Sequence, residues 1–138
     1  MASSSISDEP VVDSHRRIVE WRAPQAPALK YMSAVILMEL RASAFSPADR
    51  RVVARLQAAF ERAGRLLAPT RIVFAEAGDT LRKLQGEQGY DIAARHSIVN
   101  DVLIALSARS IGATVVTQNE RDYRAIERVR PFCLSITR

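Results

Sequence analysis

Cysteine is nearly absent: Cys133 is the single one in 138 residues. One thiol excludes an internal disulfide framework and any zinc site built from cysteines. It lies in an apolar C-terminal stretch, which predicts a buried structural thiol. Histidine is almost as scarce. His15 and His96 stand far apart and read as surface or capping residues rather than metal ligands. No window approaches the ~20 apolar residues that a membrane span needs. The segment from Met1 to Pro10 is polar and Ser-rich, without the apolar core or leading positive charge of a signal peptide. These absences predict a cytoplasmic protein that does not contact a membrane. There is no internal repeat and no linker long enough to separate domains. The expectation is one domain over residues 1–138, with residues 1–9 poorly ordered.

What the chain does have is apolar bulk and positive charge. Hydrophobic residues make up 48% of it, enough for a core, and the net charge is +5 with a pI of about 10.1. A basic surface attracts polyanions through counterion release, so nucleic acid is a natural partner. The alternative is ordinary solvated helix faces. Arg50, Arg51, Arg55, Arg62 and Arg65 illustrate both readings, since they decorate the outside of a single predicted helix.

Along the chain, short apolar runs alternate with helical periodicity. From Pro10 the pattern is helical, with Val11, Val12, Ile18, Val19 and Trp21 on one broad face, Asp13 and Arg17 at contact spacing, and Pro24 and Pro27 closing the segment. Leu29-Lys30-Tyr31-Met32 reads as a strand, and Ser33 caps the apolar helix that follows it. Ser46-Pro47-Ala48-Asp49 is a strong helix start, and that helix is predicted to reach about Leu66. Arg71-Ile72-Val73-Phe74 either leads a helix or forms a weak strand. Glu76 to Gln85 is helical, with Asp79 paired to Lys83. Gly86 and Gly89 break it, and Tyr90 to Ser97 is a connector. Asn100 can cap the next helix through its side-chain oxygen, and Gly112 ends that helix. Thr114-Val115-Val116 is β-branched and suits a buried parallel strand. Arg121 to Val129 is a short helix, and Phe132 to Ile136 a last strand. Such alternation predicts an α/β fold with a mainly parallel sheet and helices on both faces.

Three acids stand out by context. Glu39 is alone among apolar neighbours, where a charge is costly unless paired or bound to a cation. It needs either Arg41, another nearby arginine, or a metal ion. Asp101 lies near the start of the predicted helix, and Asp122 follows the strand Thr114–Val116. All three sit near strand-to-helix junctions, which meet at one edge of a parallel sheet. Together they could hold Mg²⁺ or Mn²⁺, cations that prefer oxygen ligands. A metal-bound water is more easily deprotonated and can attack a phosphodiester.

The blocks around these acids resemble a known family. Ser33-Ala34-Val35-Ile36-Leu37-Met38-Glu39-Leu40-Arg41 is similar to the S-A-hydrophobic-x-x-x-E-L-R block of PIN domains. Asn100-Asp101-Val102-Leu103-Ile104-Ala105 is similar to their N-D-x-L-I-A block. Thr117-Gln118-Asn119-Glu120-Arg121-Asp122-Tyr123 is similar to their T-x-N-x-x-D-[FY] block. Order and separations agree over nearly the whole chain, and size and layout resemble the VapC-type toxins of bacterial toxin–antitoxin pairs. The resemblance implies a PIN-like three-layer α/β/α fold. It implies a Mg²⁺- or Mn²⁺-dependent endoribonuclease acting on RNA, usually a homodimer, held inactive by a cognate antitoxin protein. Carried over residue by residue, Glu39 and Asp101 are metal-binding carboxylates, Asp122 ranks above Asn119 in the last block, and Thr117 orients the strand end.

The N-terminus departs from the pattern. PIN domains open with a strand ending in aspartate, followed by Thr or Ser, then Ser or Asn. Here Ala2-Ser3-Ser4-Ser5-Ile6-Ser7 takes that place, so the usual first strand is expected to be missing and Ala2 to fall at the acid's position. Asp8 or Asp13 could substitute, although neither follows a predicted strand. A missing central strand would leave unpaired strand edges. The competing function is therefore a catalytically impaired PIN-like module that binds RNA or a protein partner. A plain α/β scaffold with every acid salt-bridged is a third reading.

Overall fold

The computed structural model describes residues 17–138. The expected frayed start, the beginning of the helix expected from Pro10, and Asp8, Asp13 and His15 lie outside the described residues.

Five strands form one mixed sheet in the order β3-β2-β1-β4-β5. They are β1 (Ile18–Trp21), β2 (Leu29–Ser33), β3 (Leu66–Leu67), β4 (Thr114–Thr117) and β5 (Cys133–Ile136). Five helices accompany them: α1 (Ala34–Ala42), α2 (Pro47–Arg62), α3 (Arg71–Gln88), α4 (Ser97–Ser110) and α5 (Glu120–Val129). β2 pairs in parallel with β3, and β4 with β5. β1 lies between β2 and β4 and runs antiparallel to both. Four strands thus share one direction, as the sequence suggested, and the central one is reversed.

That central strand corrects two expectations. Residues Ile18–Trp21 are a strand, not the end of a helix. The central slot is also filled, so no gap opens in the middle of the sheet. The cause lies in composition and context. Ile18 and Val19 are β-branched, and the slot offers ladder partners on both edges. Val19 faces Tyr31 on one side and Val115 on the other, and it is completely buried. Two rows of backbone hydrogen bonds and a buried side chain outweigh the helical spacing of Ile18, Val19 and Trp21. Pro24 and Pro27 do close the segment, in a loop where Gln25 takes φ 60°.

Ser33 caps α1 by accepting from the Val35 N–H, and Ser46 caps α2 by accepting from the Asp49 N–H. α2 stops at Arg62, short of Leu66, because Gly64 adopts φ +68° and turns the chain back. Leu66 and Leu67 then pair beside Met32 and Ser33. Arg71-Ile72-Val73-Phe74 opens α3, which Thr70 caps. Within α3, Asp79 pairs with Arg82 at 2.9 Å, one position short of the expected Lys83. Gly86 stays inside α3, and Gly89 ends it in the left-handed conformation. α4 begins at Ser97, so Asn100 lies inside its first turns and is not its cap. Cys133 is exposed, against the expected burial, because alternate residues of the edge strand β5 face outward.

One continuous core joins the elements. It runs from Val19 and Met32 through Ile36, Phe60 and Leu84 to Ile104, Val115, Tyr123 and Ile126. α3, α4 and α5 pack against one another, and α1 packs on both α2 and α4. The contact of α1 with α4 sets the site, since Glu39 rides on the first helix and Asp101 on the second. No described helix is long and apolar enough to cross a membrane.

Candidate active site

The carboxyl ends of β2 and β4 lie on one edge of the sheet, and α1 and α4 bring an acid each to that edge. The reversed β1 presents its amino end there. Ile18 is level with Val116 and Val19 with Tyr31. One residue further along the same register, Arg17 comes level with Thr117 and Ser33, the last residues of β4 and β2. A parallel strand would have delivered its carboxyl end to this place. The antiparallel strand delivers an arginine.

Arg17 is buried, with 3% of its surface exposed. Its Nη1 donates to Asp101 Oδ1 at 2.9 Å, and its Nη2 donates to Glu39 Oε1 in a short ion pair. The guanidinium therefore bridges two of the three acids that the sequence singled out. Glu39 Oε2 accepts from Asn100 Nδ2 at 2.9 Å. Asp101 Oδ1 also accepts from the Tyr123 hydroxyl at 2.9 Å. Burial is the main influence on Asp101 and raises its carboxyl above the usual range, while Arg17 and the Tyr123 hydroxyl pull in the other direction. Burial likewise drives the Tyr123 phenol well up, and the Asp101 charge adds to it.

Asp122 lies apart from this pair. Its Oδ1 accepts from the Tyr90 hydroxyl at 2.8 Å and from Arg95 Nη1 at 3.3 Å. Its Oδ2 accepts from Asn119 Nδ2 at 3.1 Å, while Asn119 Oδ1 caps α5 by accepting from the Asp122 N–H at 3.3 Å. Asn119 thus caps α5 with its amide oxygen and holds the Asp122 carboxylate with its amide nitrogen. The Tyr90 phenol is raised first by burial and then by its bond to Asp122. Thr117 is fully buried, and its hydroxyl accepts from the Asn119 N–H at 3.1 Å. Beside these groups lies a hollow of about 400 Å³ whose lining includes Tyr90, Arg95 and Arg121.

Asp122 is close enough for its charge to add to the upward shift of the Asp101 carboxyl. Even so, among the described residues no cluster of three or more His, Cys, Asp and Glu side chains could hold a metal ion. The structure brings Glu39 and Asp101 together and holds Asp122 and Asn119 in a neighbouring network. Arg41, offered as a partner for Glu39, instead donates to Gln57. The partner is an arginine of the right kind, but from a different element.

A family model for the PIN domain matches residues 8–129. The chain belongs to the PIN domain family. PIN domains are in general metal-dependent nucleases, and the mixed five-strand sheet with five helices is consistent with the PIN-like α/β fold. No curated protein and no solved structure gives a significant match. The matched segment of this PIN domain includes Asp8 and Asp13 and leaves Ala2 outside. The donor set at the strand ends suits the ion such nucleases use. Glu39 and Asp101 supply hard oxygen atoms, and two carboxylates brought together, Asp101 buried and Glu39 part-buried, require positive charge beside them. Arg17 now supplies that charge.

Proposed function

We propose that this PIN domain is a Mg²⁺- or Mn²⁺-dependent endoribonuclease, the toxin of a toxin–antitoxin pair, acting as a homodimer on RNA and restrained by an antitoxin protein. The observation that carries the reading is the convergence of Glu39 and Asp101, distant in sequence, on one cationic group at the carboxyl edge of the sheet. That edge is where ligands bind in α/β folds. Glu39 and Asp101 would hold the divalent ion. Bound there, the ion would lower the pKa of a water and neutralise charge on the phosphodiester. Asn100 fixes the rotamer of Glu39, and Tyr123 fixes that of Asp101. Asp122 and the arginines of the adjacent hollow would face the RNA backbone. Asp13, preceded by Val11-Val12 and followed by Ser14, lies in the family-matched segment. It fits the family's opening aspartate better than Ala2 does.

The test is cleavage of a labelled single-stranded RNA with Mn²⁺. Cleavage is expected to stop with chelator. Asp101→Asn should lower it by at least about 100-fold, the upper end of what losing an outer-shell partner costs. Cleavage indifferent to both treatments would end the metal-nuclease reading. The second reading, an impaired PIN module that binds RNA or protein, is favoured by Arg17. A guanidinium engages the facing oxygens of both acids. That reading predicts RNA binding without turnover at any metal concentration.

A further inference from the structure

The positive charge at the acidic edge belongs to the chain itself. We infer that Arg17 is a built-in counter-cation of the Glu39–Asp101 pair, and that a divalent ion enters only when Arg17 leaves. The inference rests on the metal-nuclease reading for the identity of the ion. It adds a competitor within the same chain.

Three observations support it. First, the two terminal nitrogens of Arg17 are divided between two acids on two helices. A planar guanidinium can bridge in this way, whereas an ammonium is a single point of charge. Second, the oxygens turned inward are already engaged. Asp101 Oδ1 accepts from both Arg17 and Tyr123, and Glu39 divides its two oxygens between Arg17 and Asn100. A metal ion drawn to Asp101 Oδ1 or Glu39 Oε1 must compete with the guanidinium for their lone pairs. Third, the side chain of Arg17 is only 1% exposed. A buried guanidinium repels a second cation without water to screen it. With Arg17 in place the trio carries a net charge of one negative, and without it two, which favours a divalent ion.

The end of β1 permits the exchange. Arg17 precedes the strand Ile18–Trp21, so turning its side chain away breaks its ion pairs without shifting that strand's register.

The experiment is calorimetric titration of the full chain with Mn²⁺, paired with thermal unfolding in Mn²⁺ and in chelator. Arg17→Met keeps an unbranched chain and removes the charge. It is expected to bind Mn²⁺ at least tenfold more tightly than the unaltered chain. Its melting temperature should rise in Mn²⁺ and fall in chelator, while the unaltered chain responds weakly to both. Adding Glu39→Gln to Arg17→Met should abolish the gain. If Arg17→Met folds only with Mn²⁺ present, circular dichroism will show metal-driven folding, which supports the inference. If it does not fold under either condition, Arg17→Lys decides. A lysine reaches one acid at a time, so Mn²⁺ affinity should rise severalfold. Equal affinity of the unaltered chain and of whichever variant folds overturns the inference. RNA cleavage is scored separately. Tighter Mn²⁺ binding without cleavage keeps the inference and defeats the nuclease reading. Metal-dependent cleavage with unchanged Mn²⁺ affinity does the reverse.

Discussion

A charged residue among apolar neighbours requires a partner, and Glu39 shows how far that requirement can be read from sequence. Its position in Val35-Ile36-Leu37-Met38-Glu39 demanded either an arginine or a metal ion. The demand is met by Arg17, which sequence alone could not supply. The two are 22 positions apart, and Arg17 and Asp101 are 84 apart. Helical spacing tied Arg17 to Asp13 instead. Tyr123 was similarly legible only as an aromatic in a motif. In the fold it is fully buried, its ring meets Phe132 edge-on at 6.3 Å, and its hydroxyl donates to Asp101. Tyr123→Phe keeps the packing and removes that bond. It is expected to lower stability by about 1.5–3 kcal/mol, the usual worth of a hydrogen bond to a charged group. The denaturant midpoint should fall with an unchanged slope. An unchanged midpoint would mean that the hydroxyl does not support the carboxylate.

Among the elements, those with strong local signals formed where the sequence put them. Ser33 and Ser46 start α1 and α2 through side-chain caps, and Gly112, at φ 68°, closes the turn after α4. Boundaries failed where the deciding force was not local. Leu66 and Leu67 carry a helix-compatible pattern but pair with β2, because Gly64 has already ended the helix. β1 is the larger case. Four residues long, it could not be told from a helix end by periodicity, and its strand state comes from neighbours that lie far along the chain. If β1 holds the middle of the sheet, its amides are protected on both edges. Hydrogen exchange should then be as slow at Val19 and Glu20 as at Val115, and slower than in the edge strands β3 and β5. Fast exchange at Val19 would remove the strand from the sheet and take Arg17 away from the acids.

The molecule as a whole carries +5 charges, and two groups of its arginines bear on where RNA would lie. Arg50, Arg51, Arg55 and Arg62 lie along α2, where solvated-face and RNA-patch readings were both open. Arg121 lines the hollow beside Asp122, with Arg95 next to it over the Tyr90 ring. Sequence could count these charges but could not say which of them shared an edge with the carboxylates, because that depends on how α5 and the connector before α4 fold together. An RNA bound at that edge would pass the second group. In chelator, used to suppress any metal-dependent cleavage, RNA affinity should fall steeply as salt rises. Arg121→Ala should make the slope of log affinity against log salt shallower by about 0.7, the value for one phosphate contact on a single strand. The pair Arg51→Ala and Arg55→Ala should leave the slope unchanged. The opposite result would lay the RNA along α2, away from the acids, and would favour the binding module over the nuclease.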